Sequence, residues 1–213
     1  MNEATVLYNL DIETYTGEND GLNPFNPTTR ITSVAIYYGP LSGDGPEGVV
    51  SLDDPNERRL IRSVDDFLMD GETDPGIIVT WGGANFDGPF LATRSQMLGL
   101  RIGLELKPVS TRPWKYGPCQ GHESGYLLAW GSHDHVDVSY PYVEVATRAG
   151  ISSGLKPVSR LMGLHPIEVD RERMESLTVA ERSAYNTSDV EMTYRLALLV
   201  PDLAEQRDSI EWA

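Results

Sequence analysis

The sequence predicts an α/β fold, a mixed five-stranded sheet with helices on both faces. Two observations predict it. Three strand-type segments come first, and helices then alternate with two further strands, the order of a mixed sheet that carries helices. In addition, Gly76–Trp81 is a continuous apolar run, as a strand covered on both faces requires.

The elements follow in chain order. Thr5–Ile12 alternates in the strand period, with Val6, Tyr8, Leu10 and Ile12 on one face and Leu7, Asn9, Asp11 and Glu13 on the other. A loop rich in Gly, Asn and Pro spans Thr16–Thr29. Arg30–Tyr38 and Val49–Leu52 read as the second and third strands, separated by turn residues over Gly39–Gly48. A helix is expected next, with Asp54 as N-cap, Pro55 at its first position and Glu57 three residues after the cap. Its apolar stripe is Leu60, Val64, Phe67 and Leu68. Pro89–Leu98 is a helix stopped by Gly99, and Val136–Val138 is a short fifth strand. Tyr140–Arg148 is helical and ended by Gly150, and Lys156–Met162 is a short helix ended by Gly163. The last helix is the best marked: Thr178 and Glu181 form a capping box, and Pro201 ends it after Val200.

The chain has 213 residues, with 40% hydrophobic and 23% charged, which suits one domain with its own core. No apolar run approaches the ~20 residues of a membrane span, and Met1–Ala4 does not read as a signal peptide. A lone cysteine, Cys119, excludes an internal disulfide and fits a reducing compartment, so a cytoplasmic protein without membrane attachment is expected. The net charge of −15 and the presence of only three lysines run against ordinary phosphate binding. Bound divalent cations would supply positive charge locally, an acidic surface would stay solvated in concentrated salt, or the face has no specific meaning.

Three segments carry chemistry. Asp11 and Glu13, two apart at the end of an apolar strand, point to one face. Carboxylates aimed together repel unless a cation lies between them. The Asp-x-Glu pattern alone is weak, since it recurs at Asp70/Glu72, Asp170/Glu172 and Asp189/Glu191. Asp87 follows the apolar strand and a Gly-Gly turn, where ligands often bind in α/β sheets; a plain N-cap aspartate is the competing reading. Tyr185 and Asp189 share a helix face that Met192, Leu196 and Leu199 continue. An aspartate on an inward stripe is costly unless paired or metal-bound, although an acid near a helix N-terminus is also favoured by the dipole.

In this order the segments resemble the three exonuclease motifs of the DnaQ-like superfamily, in its tyrosine-containing DEDD branch. Asp11-Ile-Glu13-Thr14 is similar to the first motif, Asn85-Phe-Asp87 to the second, and Tyr185 with Asp189 to the third. The phrasing resembles most closely the proofreading exonuclease domain of family B DNA polymerases. Asp137 in His135-Val-Asp-Val-Ser139, and Gly154-Leu-Lys-Pro-Val158, also resemble segments of that family. The resemblance runs from about Val6 to Leu199, while Arg101–His135 departs from it.

That resemblance implies a ribonuclease-H-like fold and a 3′–5′ exonuclease working by two-metal hydrolysis. Asp11, Glu13, Asp87 and Asp189 are then expected to hold two Mg²⁺ or Mn²⁺ ions, and Tyr185 to position the attacking water. Thr14 and Asn85 become candidates for the terminal nucleotide, and Phe86 for stacking on a base or for core packing. The expected substrate is single-stranded or 3′-frayed DNA, with RNA possible. The chain is expected to act as a single domain over 1–213, with no polymerase domain, alone or with a polymerase or replication partner in trans. Three readings compete: an RNA-trimming enzyme of the ribonuclease D type, a non-catalytic nucleic-acid-binding or scaffold module, and a ribonuclease-H-type endonuclease. Presence of all five site residues disfavours the module, and the tyrosine disfavours the endonuclease.

Two weaker signals lie in the unmatched segment. Cys119, His122, His133 and His135 are zinc-type residues at no standard finger spacing. Trp114, Tyr116, Tyr126 and Trp130 suit either a single-strand channel or ordinary packing.

Overall fold

The computed structural model describes residues 5–15, 23–70, 74–109, 119, 122, 125–170 and 176–207. Its central sheet contains β1 (Val6–Tyr15), β2 (Arg30–Pro40), β3 (Gly48–Asp53), β4 (Gly76–Thr80) and β7 (Asp134–Asp137), in the order β3-β2-β1-β4-β7. β1 pairs antiparallel with β2 and parallel with β4, β2 pairs antiparallel with β3, and β4 pairs parallel with β7. This is the mixed five-stranded sheet that the sequence predicts, and the arrangement is ribonuclease-H-like.

Helices cover both faces. Tyr8, Leu10 and Ile12 of β1 pack with Leu60, Ile61, Val64 and Leu68 of α1 (Glu57–Met69) and Phe90 and Leu91 of α2 (Asp87–Met97). Leu7 and the β4 residues Ile77 and Val79 face the other way. They pack with Tyr142 and Ala146 of α3 (Tyr142–Ala149), Val158 of α4 (Leu155–Leu161), and Tyr194 and Leu196 of α5 (Val179–Ala197). The period-2 alternation of β1 is therefore divided cleanly between two cores.

The structure corrects several boundaries. α1 is capped by Asn56, whose side chain accepts from the Arg59 N–H, and not by Asp54. Asp54 instead accepts from the Asn56 N–H at 2.7 Å and pairs with Arg59, so it braces the cap from outside. β1 runs on to Tyr15 through a bulge between Glu13 and Thr14, where Thr32 drops out of the pairing and its hydroxyl donates to the Glu13 carbonyl. α5 keeps its Thr178–Glu181 capping box but ends at Ala197, short of Val200, and Leu199 is 54% exposed, off the buried stripe. A second sheet also appears, the hairpin of β5 (Leu104–Val109) and β6 (Gly125–Trp130), which packs beside α2 and β7.

His133, just before β7, shows how tightly this frame is wired. Its Nδ1 accepts from the Gly76 N–H at 3.1 Å, its Nε2 donates to the Leu68 carbonyl at 2.9 Å, and its ring meets Tyr8 edge-on. Burial pushes the imidazole below its ordinary value of 6.5. Below that value the unfolded chain takes up a proton that the fold refuses, so stability is complete above pH 6.5 and is lost as pH falls beneath it. The expected loss is about 1.4 kcal/mol per pH unit until His133 itself titrates. Urea denaturation across this range should show it, and His133→Gln should flatten the slope; an equal slope in the variant would refute the assignment.

Candidate metal centre

β1 is the middle strand of the sheet; Val6–Asn9 pairs with both β2 and β4, and the stretch carrying Asp11 and Glu13 pairs with β2. Asp11 and Glu13 continue the face of Leu7 and Asn9, toward α5, and both are half-buried. α5 lies across this face, pinned along its length. The Asn186 amide donates to the Ser33 hydroxyl at 3.3 Å, the Tyr194 hydroxyl to the Pro40 carbonyl at 2.9 Å, and Arg195 grips Glu47 with two bonds of 2.7 Å. Tyr142 donates to the Leu196 carbonyl from the other side. This docking turns Tyr185 and Asp189 inward, with only 5% and 7% exposure.

One oxygen each from Asp11, Glu13 and Asp189 lies within 4.8 Å of the others. Two of these acids come from the first strand and one from the last long helix. Three carboxylates at that separation, one of them buried, repel strongly unless a cation is shared. The donors are all hard oxygens on rigid elements, which fits Mg²⁺ or Mn²⁺ better than a softer metal. Asp189 is also contacted by Lys156, at the start of α4, whose ammonium lies 4.3 Å from the centre of the Tyr185 ring.

Asp87 approaches from the opposite side of β1. It is the first residue of α2, and Phe86 occupies the cap position with no side-chain cap bond, so the N-cap reading of Asp87 is overturned. Its Oδ1 instead accepts from the Ile12 N–H at 3.1 Å, next to Asp11. Asp87 lies outside the close group of three, but burial and then the Asp11 charge push its carboxyl well above the ordinary range.

The loop that delivers Asp87 is built around Asp137, at the end of β7. One Asp137 oxygen accepts from the Gly82 N–H at 2.9 Å, the Ser139 N–H at 3.0 Å and the Ser139 hydroxyl at 2.6 Å. The other accepts from the Ala84 N–H at 3.2 Å. The β5–β6 hairpin backs this loop: the Tyr126 N–H donates to the Ala84 carbonyl, and Leu128 lies so close to Gly88 that a Cβ there would meet it at 2.3 Å. Sequence reading missed Asp137 as a positioning group because the backbone N–H groups it holds in the Asp87 loop, those of Gly82 and Ala84, are distant in the chain.

Of the other candidates, Thr14 lies half-buried beyond the bulge, at the end of β1. Asn85 is buried beside Tyr140, to which its amide donates at 3.3 Å, and its Oδ1 has no hydrogen-bond partner among the described residues. Phe86 is half-buried and packs on Phe90 with ring centres 5.3 Å apart, against the α1–α2 core.

The zinc-type residues are distributed among other partners. His122 bonds Thr93 and the Tyr126 hydroxyl, His133 bonds Gly76 and Leu68, and His135 bonds the Thr80 hydroxyl. Cys119 is buried, which pushes its thiol up to about 12. Trp130 is buried and donates to Asp65, and Tyr126 belongs to the His122 cluster, so both pack; Trp114 and Tyr116 lie outside the described residues. No helix among the described residues is long and apolar enough to cross a membrane.

No family model matches the chain. It is 31% identical over 111 residues to DNA polymerase 1 of Pyrococcus abyssi, a match covering 48% of this chain and 13% of that protein. Its fold is similar to that of the family B DNA polymerase from the hyperthermophilic archaeon Pyrobaculum calidifontis, with a TM-score of 0.56 and 22% identity. That superposition covers 91% of this chain and 24% of the polymerase. The chain is thus homologous over about half its length to a DNA polymerase, and it spans only a small part of the polymerases it matches.

Proposed function

We propose that this chain is a metal-dependent 3′–5′ exonuclease that removes nucleotides from single-stranded or 3′-frayed DNA. The convergence of Asp11, Glu13 and Asp189, with Tyr185 one helical turn from Asp189 and Asp87 against the adjoining backbone, carries this reading. The similarity to DNA polymerases favours DNA over RNA as the substrate. The acting unit is the domain formed by the central sheet and its two cores. It acts in the cytoplasm, alone or beside a polymerase.

Asp11, Glu13, Asp87 and Asp189 would hold two Mg²⁺ or Mn²⁺ ions. Such ions, when bound, polarise a phosphodiester and offset charge on the leaving 3′ oxygen. The protein's own groups do the rest. β1 fixes Asp11 and Glu13, the Asp137 hub fixes Asp87, and the docking of α5 fixes Asp189. Tyr185 positions the attacking water by hydrogen bonding, since a phenol of ordinary pKa near ~10 is a poor base at neutral pH. Thr14 and the free acceptor of Asn85 face the terminal nucleotide, and Phe86 supports that end of the site from the core.

The test is digestion of 3′- and 5′-labelled single-stranded DNA, mismatched duplex and RNA with Mg²⁺ or Mn²⁺, from low to molar KCl. A metal-dependent ladder that shortens from the 3′ end of DNA is expected. Preference for RNA would shift the reading to 3′ trimming of RNA. No cleavage by folded protein in any condition would overturn the enzyme reading in favour of a binding module. Tyr185→Phe should lower turnover by about 10²-fold, within the range of a lost general acid–base or positioning contact. Its Mn²⁺ affinity in calorimetry should match wild type, and lost affinity would refute the positioning role.

A further inference from the structure

Lys156 is one of only three lysines in a chain of net charge −15, and it lies at the acidic centre. It stands in the first turn of α4, with its side chain 12% exposed. Its ammonium meets the Asp189 carboxylate and lies 4.3 Å from the centre of the Tyr185 ring, within cation–π distance. One side chain thus joins the acid and the tyrosine of α5 to α4. Asp189 is itself one of the three acids whose oxygens converge within 4.8 Å.

A buried carboxylate among other carboxylates needs a counter-charge, and an ammonium held against it supplies one. A divalent ion needs the same carboxylate and is repelled by the same ammonium. We infer that Lys156 is a built-in counter-cation, which holds Asp189 and Tyr185 in place in the ion-free protein and is displaced from Asp189 when a divalent ion binds. The role rests on the metal-binding part of the proposed function and is independent of cleavage. It makes metal affinity a difference between two cations competing for one carboxylate, so the site opens only when the ion is abundant.

The experiment is calorimetric titration of Mn²⁺ into wild type, Lys156→Met and Lys156→Arg, with thermal unfolding of each in EDTA. Lys156→Met is expected to bind Mn²⁺ about tenfold more tightly and, in EDTA, to unfold at a lower temperature than wild type. Lys156→Arg, which keeps a cation, should bind Mn²⁺ no more tightly than wild type. Unchanged or weaker Mn²⁺ binding by natively folded Lys156→Met would overturn the inference, as would wild type that binds no Mn²⁺. Should Lys156→Met not fold, Lys156→Gln reads the same affinity change. Tighter binding with no DNA cleavage by wild type would leave the counter-cation standing and remove the nuclease. Cleavage by wild type without tighter binding in the variant would do the reverse.

Discussion

Asp11→Asn is expected to cut 3′-end cleavage by about a thousandfold, which corresponds to losing roughly 4 kcal/mol of the several that a metal contributes at a phosphate. The same substitution should leave the ion-free protein at least as stable as wild type at neutral pH. Asp87 explains why. Its carboxyl is raised by burial first and by the Asp11 charge next. An acid raised in the folded state favours folding when protonated. That stability is present below its ordinary value of 3.8 and is lost as pH rises through the raised value. At neutral pH the ion-free fold therefore lacks part of that stability, and Asp11→Asn, which removes the neighbouring charge, recovers some of it. Cleavage assays paired with urea denaturation in EDTA check both halves. A variant that loses activity because it unfolds would contradict the assignment of Asp11 to metal binding, and so would one that keeps near-normal cleavage.

The largest stability effect is expected at Glu57 and Arg94, a buried ion pair between α1 and α2. Both side chains are buried and joined by two bonds, Nε to Oε1 at 2.8 Å and Nη2 to Oε2 at 2.7 Å. Glu57 also accepts from the Ile31 N–H, and Arg94 donates to the Pro24 and Asn26 carbonyls. α1, α2 and the segment leading into β2 are thereby fastened at one point. Removing either partner leaves a buried charge unpaired, which costs roughly 3–5 kcal/mol. Glu57→Ala and Arg94→Ala should each show a loss of that size in urea denaturation, while Glu57→Leu/Arg94→Met should lose less than either. Loss below about 1 kcal/mol, the range of an exposed pair, would mean that the pair is solvated in solution.

How far the sequence discloses this protein depends on which interactions are periodic. The five-stranded frame is legible because Thr5–Ile12 alternates with the strand period and the apolar run around Ile77–Val79 is too short for a helix. Asp11 with Glu13, and Tyr185 with Asp189, share faces for the same reason. The β5–β6 hairpin is not legible: its strands are separated by a long stretch, and Lys107-Pro108 reads as a break even though Pro108 pairs with Tyr126. The cap of α1 is misread by two residues because Asp54 and Asn56 both suit that position, and only the backbone at Asn56 decides between them. Glu57 looks like a capping partner in sequence, yet it is spent on Arg94 in a different helix. Lys156 and Asp137 carry no periodic signature at all, since their significance lies in partners from other elements.

The acids of β1 and the acid of α5 lie near opposite ends of the chain. During synthesis the first strand leaves the ribosome long before the last helix exists, and every cofactor-competent arrangement must wait for that helix to dock. Closing so long a loop is slow and costs entropy that local contacts cannot recover. On the proposed function the nascent polypeptide is inert, and capture of a divalent ion would report that β1 and α5 have come together.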